Sequence, residues 1–194
     1  MQNYNLVHTV KDITDSSGDP TEPVSVAEVK SYMRLEGFQD IDESDSTQFD
    51  DDDDLIERLI VTARKRLEKL YGISLVPKTL RAVITNLAGD IEIPGGPVNT
   101  ITEIRDRYGN LITTYTITGY TDDETTYGDF ITLECPNYEK MVIEYEAGYE
   151  DVPDPLKVEI MRYVTWLYTY RGDQEKIEQY QFGAGEYNRN SWLA

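Results

Sequence analysis

Apolar residues recur along this chain with two different periods, and the change from one to the other divides it. Leu55, Ile56, Leu59, Ile60, Ala63, Leu67 and Leu70 follow the three-and-four spacing of a helix face. Glu57, Arg58, Arg64, Lys65, Glu68 and Lys69 are expected on the solvated side of that helix. Asp50 to Asp54 stand directly before it, where carboxylates meet the positive end of the helix dipole and one can cap free N–H groups. Gly72 is a stop signal, so the predicted helix covers about 53–71. At about 1.5 Å per residue it is a rod of about 28 Å. A shorter helix is predicted over about 25–35, opened by Ser25 and Glu28 as a capping box and made amphipathic by Val26, Val29, Met33 and Leu35. Residues 36–51 between the two read as an acidic loop.

After Pro77 the period shortens. The segments "TLRAVITNL", "DIEIP", "VNTITEIRD", "LITTYTITGY", "DFITLEC" and "KMVIEYEAGY" are short, β-branched and alternating, with "RYGN" as a turn and "PGGP" as a corner. Antiparallel strands over about 78–147 follow from this pattern. Helical spacing returns in "VPDPLKVEIMRYVTWLYTYRGD", predicting a helix over about 155–171. Leu156, Ile160, Val164 and Leu167 form one stripe, while Met161, Trp166, Tyr168 and Tyr170 lie outside it. A helix apolar on more than one face is central or has a second partner. The expected fold class is α+β: mainly a helical bundle with an inserted antiparallel β region. Residues 25–173 form its body, with an extended N-terminal arm over 1–24 and a C-terminal docking tail over 174–194.

Charge narrows the functions this pattern can serve. The 194 residues include 18 basic and 37 acidic side chains, a net charge of −19. An acidic surface argues against wrapping nucleic acid, since phosphate contacts need lysine and arginine. No apolar run is long enough to span a bilayer, so no membrane association is expected. The segment "MQNYNLVHTVKD" lacks the basic and apolar parts of a secretory signal. One cysteine, Cys135, excludes an intrachain disulfide framework and fits synthesis in a reducing cytoplasm. Fifteen tyrosines beside four phenylalanines suit surfaces where proteins meet.

No chemistry-bearing constellation stands out. A calcium-loop register can be laid over Asp40, Asp42, Ser44, Ser46, Gln48 and Asp51, but Asp45 stands where glycine is needed and Asp51 where glutamate is usual. A solvated acidic loop is the favoured reading, and no metal is expected. His8, the single histidine, and Cys135 lack the convergent partners of a catalytic or zinc site. "GGP" and "GAGE" lack a phosphate-loop lysine, so no cofactor is expected. The remaining candidates bind partners rather than substrates. Arg64 and Lys65 could meet a neighbour's acidic segment 40–54, Trp166 and Tyr170 could form a subunit contact, and Phe182, Tyr187 and Trp192 sit in a glycine-bearing tail suited to ordering on a partner.

The order of these pieces resembles the head–tail connector, or adaptor, proteins of tailed bacteriophages, a head-completion family beneath the portal ring. The stretches that carry it are "EPVSVAEVKSYMRL" (22–35), "DDDDLIERLIVTARKRLEKLYGISLVPKTL" (51–80), "IEIPGGPVNTITEIRDRYGN" (91–110) and "MVIEYEAGYEDVPDPLKVEIMRYVTWLYTYRGD" (141–173). The segment 36–54 and the tail beyond Asp173 depart from shorter members. The resemblance implies a structural virion protein, not an enzyme, made in the host cytoplasm and located at the head–tail junction. It would form a homo-oligomeric ring of twelve copies that binds the portal protein and the next tail or connector protein. Genomic DNA would pass through its channel without sequence-specific binding. The rival readings are an acidic DNA mimic that captures a nucleic-acid-binding protein, and a metal-dependent hydrolase.

Overall fold

The computed structural model describes residues 6–14, 21–33, 47–85, 91–119, 131–134 and 140–182. The chain divides into two compact units, Met1–Thr21 with Glu68–Asp151, and Glu22–Leu67 with Val152–Ala194. The first is built on strands and the second on helices, so the fold class is α+β as expected.

In the first unit, β1 (Leu6–Asp12), β2 (Lys78–Thr85), β4 (Val98–Asp106) and β7 (Met141–Ala147) form an antiparallel sheet in the order β1-β2-β7-β4. Part of the expected N-terminal arm is therefore an edge strand. A smaller antiparallel sheet joins β3 (Ile91–Glu92), β6 (Ile131–Glu134) and β5 (Thr116–Gly119) in that order. Alternation places one face of the large sheet in the core. Leu80 pairs with Tyr145, Ala82 with Ile143 and Ile84 with Met141, and all six are buried.

The expected alternation does not hold in β4, whose apolar positions recur every third residue, at Val98, Ile101 and Ile104, which a straight strand would send to alternating faces. The register with β7 shifts between Val98 and Thr100 and again between Ile101 and Glu103. Each shift inserts one extra residue, so Val98, Ile101 and Ile104 oppose Ala147, Tyr145 and Ile143 and all three join the core cluster. The outer face carries a charged row across all four strands, from Lys11 through Arg81 and Glu144 to Glu103. Arg81 bonds Glu144 and Arg105 bonds Glu103 on this face.

Three separate stretches meet at one end of this unit. Ser74 donates from N–H to the Gly96 carbonyl and from its hydroxyl to the Gly95 carbonyl, each at 2.8 Å. The Tyr145 hydroxyl donates to the Pro94 carbonyl at 2.6 Å, and Gly148 N–H donates to the Pro97 carbonyl at 2.9 Å. "PGGP" is thus a corner clamped by the segment after the long helix and by "YEAGY". Gly148 has φ +124, and a Cβ there would lie 2.2 Å from the Val76 carbonyl oxygen. Only glycine fits this position without moving backbone.

In the second unit, α1 (Val26–Met33) opens with the expected capping box. The Ser25 hydroxyl and N–H both donate to the Glu28 carboxylate at 2.7 Å, and Glu28 N–H donates back to the Ser25 hydroxyl at 3.2 Å. The long helix α2 runs from Thr47 to Tyr71, its last turn belonging to the first unit, and Gly72 N–H closes it on the Glu68 carbonyl. It begins about two turns before the expected start, so the aspartate run lies inside the helix rather than capping it. Ile56, Ile60, Ala63 and Leu67 make its buried stripe. Helix α3 (Asp154–Thr169) buries Leu156, Ile160, Tyr163, Val164 and Leu167, and a short helix α4 (Gln174–Glu178) follows. No described helix is long and apolar enough to cross a membrane.

Candidate functional site

The second half of α3 and the chain after it build an aromatic cluster. Trp166 and Tyr170 are one helical turn apart, with ring centroids 4.4 Å from each other. Past α4 the chain returns to α3, bringing Tyr180 to 4.7 Å and Phe182 to 4.6 Å from the Tyr163 ring. Tyr180 also meets Trp166 edge-on at 5.6 Å and Phe182 at 4.8 Å. Tilted and edge-on rings at such spacings gain from quadrupole complementarity as well as buried area. Polar anchors hold the segment. Trp166 Nε1–H donates to the Lys176 carbonyl at 3.1 Å, the Asp173 carboxylate accepts from Lys176 N–H at 3.1 Å, and the Tyr180 hydroxyl donates to Glu159 at 3.1 Å.

Glu159 is buried and also receives Arg162 at 3.1 Å. Burial, then the negative charge of Glu159, pushes the Tyr180 phenol above its ordinary value. The Glu159 charge likewise raises Arg162. The cluster therefore stays protonated on its phenol and charged on its guanidinium throughout the neutral range.

The expected docking tail is in part an intramolecular feature. Its stretch 174–182 packs on α3, covering some of the aromatic face assigned to a subunit contact. Trp166 and Tyr170 remain half-buried, leaving part of each to solvent, and Phe182 is half-buried. Tyr187 and Trp192 lie outside the described residues, as do Cys135 and positions 40–46 of the acidic segment.

The start of α2 is tied down within its unit. The Tyr168 hydroxyl donates to Asp52 at 2.8 Å, and Arg171 lies 3.9 Å from Asp52 with its guanidinium 4.4 Å from the Tyr168 ring centre. Asp53 pairs with Lys30 of α1. These carboxylates link α2 to α1 and α3, and among the described residues no group of acidic, histidine or cysteine side chains could hold a metal ion.

Two expectations for α2 are corrected. Arg64 is buried, not solvated, and its Nε and Nη2 donate to the Glu22 carboxylate at 2.7 and 2.9 Å. Position 64 falls on the edge of the apolar stripe beside Ile60, Ala63 and Leu67, so its stem packs inward while Glu22 neutralises the head. Glu68 is largely covered as well, accepting Leu75 N–H at 2.9 Å and Lys78 at 2.8 Å. Lys65 is exposed as expected. Glu159, Tyr163 and Tyr180 escaped the sequence reading, which named Tyr168 only as a bulky residue off the main stripe. Their one signal was the excess of tyrosine over phenylalanine, which does not say which phenols find a carboxylate.

No family model matches the chain, and no curated protein matches it. Solved structures do. One is a chain from the virion of a native gene transfer agent particle, with TM-score 0.59 and 19% identity over 86% of this chain and 87% of that chain. Another is from the neck of the empty particle computed with C6 symmetry, with TM-score 0.61 and 17% identity over 84% of this chain and 85% of that chain. A third is from the neck of the native particle computed with C12 symmetry, with TM-score 0.53 and 16% identity over 86% of this chain and 85% of that chain. At these identities the likeness is one of fold, and it extends over most of both chains.

Proposed function

We propose that this chain is a structural virion protein of the neck of a phage-like particle. Copies form a ring below the portal that joins head to tail and extends the DNA channel. One observation carries the reading: the fold matches, across 84% of this chain, a chain from a particle neck computed with C6 symmetry. The sequence resemblance to head–tail connectors, drawn from motifs spread over residues 22–173, points the same way. The C12 symmetry of another similar neck supports twelve copies.

The chain acts by shape and charge, without covalent chemistry. The clamp at "PGGP" and the Asp52–Tyr168 and Arg64–Glu22 links make each unit rigid, so identical lateral contacts can repeat around an axis and close. A net charge of −19 keeps DNA from adhering, because holding it would need desolvated lysine or arginine on its phosphates. The DNA-mimic alternative asks for unengaged carboxylates along a helix face, whereas Asp52 and Asp53 are spent on contacts within the chain.

Negative-stain imaging of the purified chain mixed with portal protein tests the reading. Rings stacked on the portal are expected. Unassociated portal beside dispersed chain, or capture of a nuclease or repressor instead, would overturn it.

A further inference from the structure

We infer that the outward face of α2 between Arg58 and Lys69 contacts the sugar–phosphate backbone of duplex DNA without reading its sequence. The inference rests on the neck reading above and assigns one surface of the chain to the DNA path.

Packing fixes which side chains point outward. Ile56, Ile60, Ala63 and Leu67 bury one side of the helix. From Arg58 to Lys69 the exposed residues are Arg58, Thr62, Lys65, Arg66 and Lys69. Arg58, Thr62, Lys65 and Lys69 follow one another at intervals of four, three and four, which stacks them on one face with Arg66 beside them. The row extends along the helix for about 16 Å. Its one uncharged member, Thr62, donates its hydroxyl to the Arg58 carbonyl at 2.8 Å.

Folding withdraws the carboxylate that would neutralise this row. Glu68, the one acidic residue between positions 58 and 69, is turned onto the Leu75 N–H at 2.9 Å and Lys78 at 2.8 Å. Arg64 leaves the row as well, buried against Glu22. Scarcity of acid does not explain the four remaining cations, because acidic residues outnumber basic ones by 37 to 18. Lys30, Arg64, Lys78, Arg81, Arg105, Arg162 and Arg171 all pair with carboxylates. Among the described residues, no carboxylate pairs with Arg58, Lys65, Arg66 or Lys69.

Composition selects the occupant. A protein partner is held by buried aromatic or aliphatic anchors inside a polar rim, and this row offers a threonine and no such anchor. A phosphate backbone is held by lysine and arginine alone, and most protein–DNA hydrogen bonds go to it. The four cations are exposed, so their contacts stay hydrated and salt-sensitive. They steady DNA at one row per copy, while the acidic remainder of the chain keeps it from adhering elsewhere.

Fluorescence anisotropy of a labelled duplex of about 30 bp, titrated with the full chain between about 50 and 200 mM salt, tests the row. Four phosphate contacts predict a slope of log K against log salt of about −3.6, a loss of about a hundredfold over that range. Two unrelated sequences should bind equally. Lys65→Gln with Arg66→Gln should halve the slope, to about −1.8, with the circular dichroism spectrum retained. Lys11→Gln with Lys140→Gln removes the same charge from exposed positions off the helix and should leave the slope unchanged. No binding at the lowest salt, or equal slopes for the two double variants, would overturn the contact. In parallel, a benzophenone-bearing amino acid at position 62 is irradiated in chain assembled on portal with duplex present. Label on DNA is expected, and label on a second copy or on portal instead would overturn the contact. These failures leave the neck reading standing where rings still stack on portal. Labelled DNA with no rings would overturn the neck reading and retain the contact.

Discussion

Replacing Gly148 with alanine puts the clamp at "PGGP" to the sharpest test. Gly148 follows β7 with φ +124, a region that costs an L residue about 1–3 kcal/mol. The added Cβ would lie 2.2 Å from the Val76 carbonyl oxygen, 2.5 Å from its carbon and 2.8 Å from Pro77 Cα. All three are backbone atoms, so no rotamer change relieves the overlap, and forced displacement adds about 1–3 kcal/mol. The shift also strains the Gly148–Pro97 bond and the bond from Asn99 Nδ2 to the Gly148 carbonyl, each 2.9 Å. The total is about 4 kcal/mol, or a fall in Tm of roughly 10 °C for a chain of this size. Gly72→Ala is the control. Its φ is +66 but nothing lies within 4 Å, so backbone strain alone applies, about 1 kcal/mol. Urea unfolding followed by far-UV circular dichroism measures both. A Gly148→Ala protein no less stable than Gly72→Ala would refute the close approach on which the fold description depends.

Three further outcomes follow from the contacts. Arg64→Ala strands the Glu22 carboxylate in a largely covered position and should cost about 3 kcal/mol, whereas exposed Lys65→Ala should change urea stability by less than about 0.5 kcal/mol. Tyr145, through burial, and Tyr180, through burial and Glu159, hold their protons above the ordinary phenol value of 10.0. The folded chain keeps protons that the unfolded chain releases near that value, so this contribution is complete below pH 10 and stability falls as pH rises further. Urea midpoints should therefore hold up to about pH 10 and drop as pH rises beyond it, and drop less in Tyr180→Phe. Deleting residues 183–194 should weaken cosedimentation with portal while leaving the unfolding midpoint unchanged, since the contacts of Tyr180 and Phe182 with Tyr163 are retained.

Local rules made much of the fold legible. The Ser25–Glu28 box, the stripe from Ile56 to Leu67 and the stop at Gly72 are short-range features, and each reads directly from spacing. Long-range compensation hid the rest. Period three in "VNTITEIRD" has no meaning for one strand, and becomes a buried face through two bulges against β7. Consecutive aspartates discourage a helix start before position 53, yet Lys30 of α1, Tyr168 of α3 and Arg171 in the turn after it engage Asp52 and Asp53 within α2. Arg64 looked solvated because helix periodicity cannot show Glu22 waiting 42 residues upstream.

The candidate surfaces divided in the same way. Trp166 and Tyr170 were visible as bulky residues off the main stripe, whereas the return of Tyr180 and Phe182 onto α3 depended on a turn between helices. "RYGN" read as a turn, and only the structure shows the bonds converging on the Asp106 carboxylate that hold it.

The central claim is position within a particle. Particles released by the cell that encodes this chain, labelled with antibody against it and imaged by cryo-electron microscopy, give the most direct measurement. The account predicts a single labelled ring between the capsid vertex and the tail, with density fitted by this fold around the DNA path. Label on the capsid shell, on the tail tip or absent from particles altogether would contradict it.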